Sequence, residues 1–175
     1  QQLVDRRDAL GDRLLRHALE RDIEGGEHVD GSVLLEQTRV VLVDELRDVV
    51  AQGAKIVTVN GAYAWCLEHN FVPSMQIVLD ARASNARFFE PALPRCHYAL
   101  ASQAHPDCWD AVEGRPNVWV FHVGTNVPAI EQELDAYYLK KWEGVGGGTT
   151  VGTRAIALLR MLGYLRFDIF GMDSC

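Results

Sequence analysis

The residues best suited to chemistry are glycines and threonines in the run Gly146-Gly147-Gly148-Thr149-Thr150-Val151-Gly152-Thr153. Glycine lets a backbone approach a ligand closely, and the free N–H groups of a helix start favour anions. Threonine hydroxyls add donors, so the run is expected to hold a phosphate and to open a helix. The spacing from Gly147 to Gly152-Thr153 copies part of a P-loop. Arg154 stands where that motif needs lysine, however, and no strand directly precedes the run, which excludes a Walker A site. A glycine linker ending in a threonine-capped helix is the plainer alternative.

Further candidates are spread along the chain. Asn60-Gly61 closes a β-branched run, where an amide can bind phosphate, sugar or base and glycine clears space; an ordinary turn would look the same. It is not a G-x-G-x-x-G fingerprint, which argues against a dinucleotide. Asp80 and Asp173 end two other apolar runs. Two carboxylates meeting at a phosphate would suit Mg²⁺, which takes oxygen ligands; helix-capping is their structural alternative. His122 ends another run and has the location of a general acid or base, or of a buried structural histidine. Cys96, His97, His105 and Cys108 lack a paired knuckle spacing, so zinc is not expected.

These residues need elements to position them. Runs at 55–60, 75–80, 97–101, 117–122 and 166–171 read as strands, each almost continuously apolar. Between them lie helical stretches from Ala62 to His69, Ala83 to Glu90, Pro106 to Val112, Pro128 onward with Ile130, Leu134, Tyr138 and Trp142 at four-residue steps, and Thr150 to Leu162. Alternation of this kind predicts an α/β fold, a Rossmann-like, doubly wound, mainly parallel sheet. Ligands of such sheets sit at the strand carboxyl ends, where Asn60-Gly61, Asp80 and Asp173 all fall. Ahead of this, Leu3 to Ile23 and a stretch starting at Ser32 read as two amphipathic helices. The division expected is an N-terminal helical extension, 1–52, and a Rossmann-like nucleotide-binding domain, 53–175. The start at Gln1 and the stop at Cys175 after a strand-like run suggest a fragment trimmed at the C-terminus.

Bulk properties narrow the partners. A net charge of −7 disfavours nonspecific contact with nucleic acid or anionic membrane. No stretch approaches the roughly 18 apolar residues of a membrane span, and the polar start carries no signal-peptide core. Four scattered cysteines read as reduced thiols, which places the chain in the cytoplasm. A small-molecule nucleotide and an acceptor are the expected partners, and homo-oligomerisation stays open.

Three stretches together resemble a family: Val57-Thr58-Val59-Asn60-Gly61-Ala62, Ile77-Val78-Leu79-Asp80-Ala81-Arg82, and Gly147 to Gly152 leading into Leu162-Gly163-Tyr164 and Phe170-Gly171-Met172-Asp173. They resemble the 6-hydroxymethylpterin diphosphokinase MptE-like proteins, and more distantly motility-associated glycosyltransferases and bacterial sialyltransferases. The resemblance spans roughly residues 54 to 175. It implies Mg²⁺-dependent transfer of diphosphate from ATP to a small hydroxymethyl acceptor, with Asn60, Gly61, Asp80, Thr149, Thr150 and Asp173 as ligand positions. The glycosyltransferase likeness implies instead a CMP- or UDP-sugar donor, with a base such as His122. A third reading is a nucleotide-binding module without turnover. The first turn departs from the family in reading Asn-Gly-Ala-Tyr rather than Gly-Pro-Ser.

Overall fold

The computed structural model describes residues 32–35, 43–139 and 141–172. In chain order these form β1 (Ser32–Leu35), α1 (Val43–Ala51), β2 (Lys55–Val59), α2 (Ala62–Glu68), β3 (Met75–Val78), a 3-10 segment (Ala83–Phe89), β4 (His97–Ala101), α3 (Pro106–Ala111), β5 (Val118–Val123), α4 (Pro128–Tyr137), β6 (Gly144–Val145), α5 (Val151–Met161) and β7 (Phe167–Phe170). The strands lie in the order β6-β5-β4-β3-β2-β1-β7, and every neighbouring pair is parallel. The chain therefore steps one way from β1 to β6, and α5 then carries it back so that β7 lies beside β1. That reversal makes the sheet doubly wound, the Rossmann-like arrangement expected from the alternating pattern.

The side chains divide by the two-residue period of a strand. Val57, Val59, Met75, Ile77, Ala99, Ala101 and Phe121 pack with Val151, Ala155, Leu158 and Leu159 of α5. On the other face Val78, Tyr98, Leu100 and Val118 meet Tyr63, Phe89 and Cys108, while Ile56 joins Leu46, Ala62, Cys66 and Phe71. Both faces are covered, which is why the strands read as continuous apolar runs.

Three expectations need correction. Ser32 does not begin a helix: Ser32–Leu35 is a strand paired with both β2 and β7. A short apolar run such as Val33-Leu34-Leu35 suits either period, and pairing on both sides decides it. The sheet thus starts before residue 53, and α1 packs on it through Leu46. Ala83–Phe89 is 3-10 rather than α-helical, and Gly144–Val145 is a short sixth strand directly ahead of the glycine–threonine run, where no strand was expected, so the case against a Walker A site rests on Arg154 in place of lysine. The helix expected over Leu3 to Ile23 lies outside the described residues. Among the described residues no helix is long and apolar enough to cross a membrane.

Cys66, Cys96 and Cys108 are buried free thiols. Burial pushes the Cys66 and Cys96 thiols up from 9.0 to about 12, because a thiolate there would lose its solvation. Both should resist iodoacetamide at pH 8 in the folded chain and react once it is unfolded, as mass spectrometry of the alkylated protein would read. A folded value above the unfolded one means that stability is full below pH 9 and is lost as pH rises toward 12. The loss is on the order of 1 kcal/mol per pH unit for each thiol across that window. Denaturant midpoints independent of pH from 9 to 11 would contradict this.

Candidate functional site

Because all seven strands are parallel, their carboxyl ends lie along one edge of the sheet. Asn60, which follows β2, has φ 48°, a left-handed conformation uncommon outside glycine. Its N–H donates to the Ile77 carbonyl at 3.3 Å. Its own carbonyl accepts from Gln76 Nε2 at 2.9 Å. Asn60 Oδ1 is buried and has no hydrogen-bond partner, an uncommon condition that leaves one acceptor open. Beside it Gly61 faces the Phe88 ring, which would lie 3.7 Å from an added Cβ. Asp80 follows the adjacent strand, β3, with its side chain partly exposed and its carbonyl accepting from Asn85 Nδ2 at 3.4 Å. Neighbouring strands thus bring Asn60, Gly61 and Asp80 together.

The glycine–threonine run follows β6. Residues 146–150 are exposed, and α5 begins at Val151. Thr150 is the N-cap, its Oγ1 accepting from the Thr153 N–H at 3.2 Å, while Thr153 Oγ1 donates to the Thr150 carbonyl at 3.1 Å. The threonine-capped helix start is therefore real, and Thr149 is left on the exposed loop. Gly147 has φ +115°, and a Cβ at Gly148 would lie 2.8 Å from Thr153 Cβ. Gly152 lies inside the first turn of α5 and is buried. Arg154 reaches back to donate to the carbonyls of Gly124 at 3.1 Å and Val145 at 2.5 Å, tying the ends of β5 and β6 to α5.

The two groups do not face each other across a single turn. β2 and β6 are four strand spacings apart, about 19 Å along the sheet, and α5 runs from β6 back over β3, β2 and β1. A ligand touching both groups must lie extended along the edge. Asp173 lies outside the described residues; β7, which leads to it, is three strands from β3, about 14 Å. Among the described residues no three His, Cys, Asp or Glu side chains gather as a metal group. Of the residues weighed for zinc, Cys96 and Cys108 lie in the apolar core, His97 stacks edge-on against Trp119, and His105 caps α3.

His122 lies near the end of β5, its Nδ1 3.0 Å from Ser102 Oγ at the end of β4. Tyr138 and Trp142 cover the ring at centroid distances of 4.7 and 5.9 Å. Trp142 in turn donates to Asp135 Oδ1 at 2.9 Å. The helix expected to carry Ile130, Leu134, Tyr138 and Trp142 at four-residue steps ends at Tyr137, so Trp142 reaches His122 from beyond α4, and Ile130 stays 46% exposed.

Four residues of this edge were not singled out for a role by the sequence: Thr58, Gln76, Ser102 and Arg154. Thr58 and Gln76 are fully buried, and a glutamine inside Met-Gln-Ile-Val-Leu was the available signal, because a buried polar side chain needs a partner. Ser102 carried no such signal.

A family model described as 6-hydroxymethylpterin diphosphokinase MptE-like matches residues 42–175. A comparison with curated proteins gives no match. The match takes in the sheet from α1 onward together with Asn60, Asp80, His122 and the whole glycine–threonine loop. With most of its length covered, the chain belongs to the 6-hydroxymethylpterin diphosphokinase MptE-like family, which points to a kinase- or transferase-like role.

Proposed function

We propose that the chain is a nucleotide-dependent transferase that moves diphosphate from a nucleoside triphosphate to the hydroxymethyl group of a small acceptor. The observation that carries this reading is the exposed loop 146–150, running into the Thr150-capped start of α5 at the carboxyl edge of the sheet. Backbone N–H groups there favour the phosphates, with the Thr149 hydroxyl beside them. The acceptor hydroxyl attacks the β-phosphorus, its proton passes to His122, and the nucleoside monophosphate leaves. Ser102 fixes the His122 ring through Nδ1.

Magnesium fits the donors present. Asn60 Oδ1, buried without a partner, and the Asp80 carboxylate are hard oxygen ligands at adjacent strand ends, and phosphate oxygens and water complete such a shell. When bound, the ion neutralises charge on the transferring group. Asp173 stays in the proposal as a second carboxylate. The cytoplasm is the proposed location, supported by three buried free thiols that a reducing compartment preserves.

Calorimetry with ATP, GTP, CTP and CMP, each with and without Mg²⁺, tests the proposal. The expected result is triphosphate binding that needs the metal and weakens in Asp80→Asn and in Asp173→Asn. Binding of CMP or a sugar nucleotide that survives chelation, with donor hydrolysis, would move the assignment to glycosyl transfer. Nucleotide binding without turnover would leave a binding module, and no binding at all would overturn the proposal.

A further inference from the structure

Gln76 occupies the middle of the sheet, with Thr58 and Tyr98 as its register partners on either side. Its side chain is fully buried, where an unpaired primary amide is costly. Every group on it is engaged. Nε2 donates to the Asn60 carbonyl at 2.9 Å and to the Phe88 carbonyl at 3.2 Å. Oε1 accepts from Thr58 Oγ1 at 2.6 Å. Two carbonyls around one amide end fix which end is nitrogen, so the single Thr58 hydroxyl proton goes to Oε1. The Met75 carbonyl, 3.2 Å from Thr58 Oγ1, is the alternative acceptor for that proton.

We propose that Gln76 is a positioning residue, which holds the Asn60–Gly61 turn to the 3-10 segment that covers it. The Asn60 carbonyl is held inward against Gln76. A planar trans peptide then directs the Gly61 N–H the opposite way, away from the core. The same contact keeps Asn60 in its left-handed conformation, with its side chain at a fixed place. Phe88, whose ring meets Gly61 and whose carbonyl shares the Gln76 amide, is locked to the turn by the same side chain. Thr58 is the outer member: it satisfies Gln76 but touches neither Asn60 nor Phe88 through its hydroxyl. The consequence for ligand binding rests on the reading of Asn60 and Gly61 as ligand-facing; the consequence for the turn does not.

Nitrogen-15 relaxation and ATP–Mg²⁺ calorimetry on the native chain, Gln76→Met and Thr58→Val form the test. In Gln76→Met the Gly61 amide order parameter should fall from about 0.85 to below about 0.6, and the ATP dissociation constant should rise about tenfold, the size of one lost hydrogen bond. Thr58→Val should lower Tm through the unpartnered Gln76 oxygen while leaving the Gly61 order parameter and the dissociation constant near native. A purely structural role for Gln76 would move Tm alike in both variants and leave Gly61 rigid, which overturns the proposal. Should Gln76→Met not fold, the native protein still decides: the two Gln76 side-chain amide protons must exchange slowly, and fast exchange overturns it. If the native chain binds no nucleotide but Gly61 loosens in Gln76→Met, the transferase reading fails and the positioning role stands.

Discussion

Arg154→Met is expected to lower the unfolding free energy by about 2 kcal/mol and to weaken nucleotide binding at least about tenfold, through the loss of two charge-assisted hydrogen bonds. The guanidinium donates to Gly124 and Val145, residues at the ends of β5 and β6. β6 contributes only two residues to the sheet, at an edge, so little else pins it there. The loop 146–150 hangs from that strand on one side and from α5 on the other, and Arg154 joins the two. A role by charge and a role as anchor can be told apart by a variant that keeps the charge and loses the fork. Arg154→Lys keeps the positive charge near the loop but exchanges a planar fork for a point donor. If Arg154 acts as an anchor, Lys loses stability almost as Met does. If it acts only by charge, Lys binds nucleotide like the native chain and only Met fails. Urea unfolding beside calorimetry with ATP separates these outcomes, and native stability in Arg154→Met would remove the anchor altogether.

How much of this arrangement could be read in advance depended on the element. Strands with their own hydrophobic signal, such as Ile56-Val57-Thr58-Val59 and Met75 to Val78, announced themselves, and with them the parallel sheet and its carboxyl edge. β1 and β6 did not. Ser32–Leu35 is strand because β2 and β7 flank it on both sides, a fact of tertiary pairing that four residues cannot encode alone. Gly144–Val145 is strand because it pairs with His122 and Val123 of β5, and a Cβ on Gly144 would fall 2.8 Å from the Gly124 Cα, so the glycine there is a close-packing residue. The candidate site divides in the same way. Asn60-Gly61, Asp80 and the glycine–threonine run were visible from residue type and position. Their separation along the edge was not, because it follows from strand order, which is set by crossovers rather than by local sequence. The contacts that hold them, from Gln76 to Asn60 and from Arg154 back 30 residues to Gly124, are likewise long-range.

Gly148→Ala should cost about 1–3 kcal/mol, the range for forcing a methyl into a filled space, and should abolish measurable nucleotide binding. Its neighbour makes the control. A Cβ at Gly146 meets nothing within 4 Å, so Gly146→Ala should leave stability within about 0.5 kcal/mol of native. At Gly148 the added carbon would fall 2.8 Å from Thr153 Cβ and 3.3 Å from its Cγ2. Thr153 cannot turn aside freely, since its hydroxyl donates to the Thr150 carbonyl and its N–H to Thr150 Oγ1. The clash is therefore relieved either by breaking the cap of α5 or by lifting the loop off the helix start. Either movement takes the loop N–H groups away from a phosphate. Gly148→Ala with Thr153→Ala removes the hydroxyl and Cγ2 but keeps the Cβ contact, so it should recover part of the stability and little of the binding. Equal binding by Gly146→Ala and Gly148→Ala would mean that the loop does not touch the phosphates, and the site would have to be sought at the Asn60–Asp80 end of the edge alone.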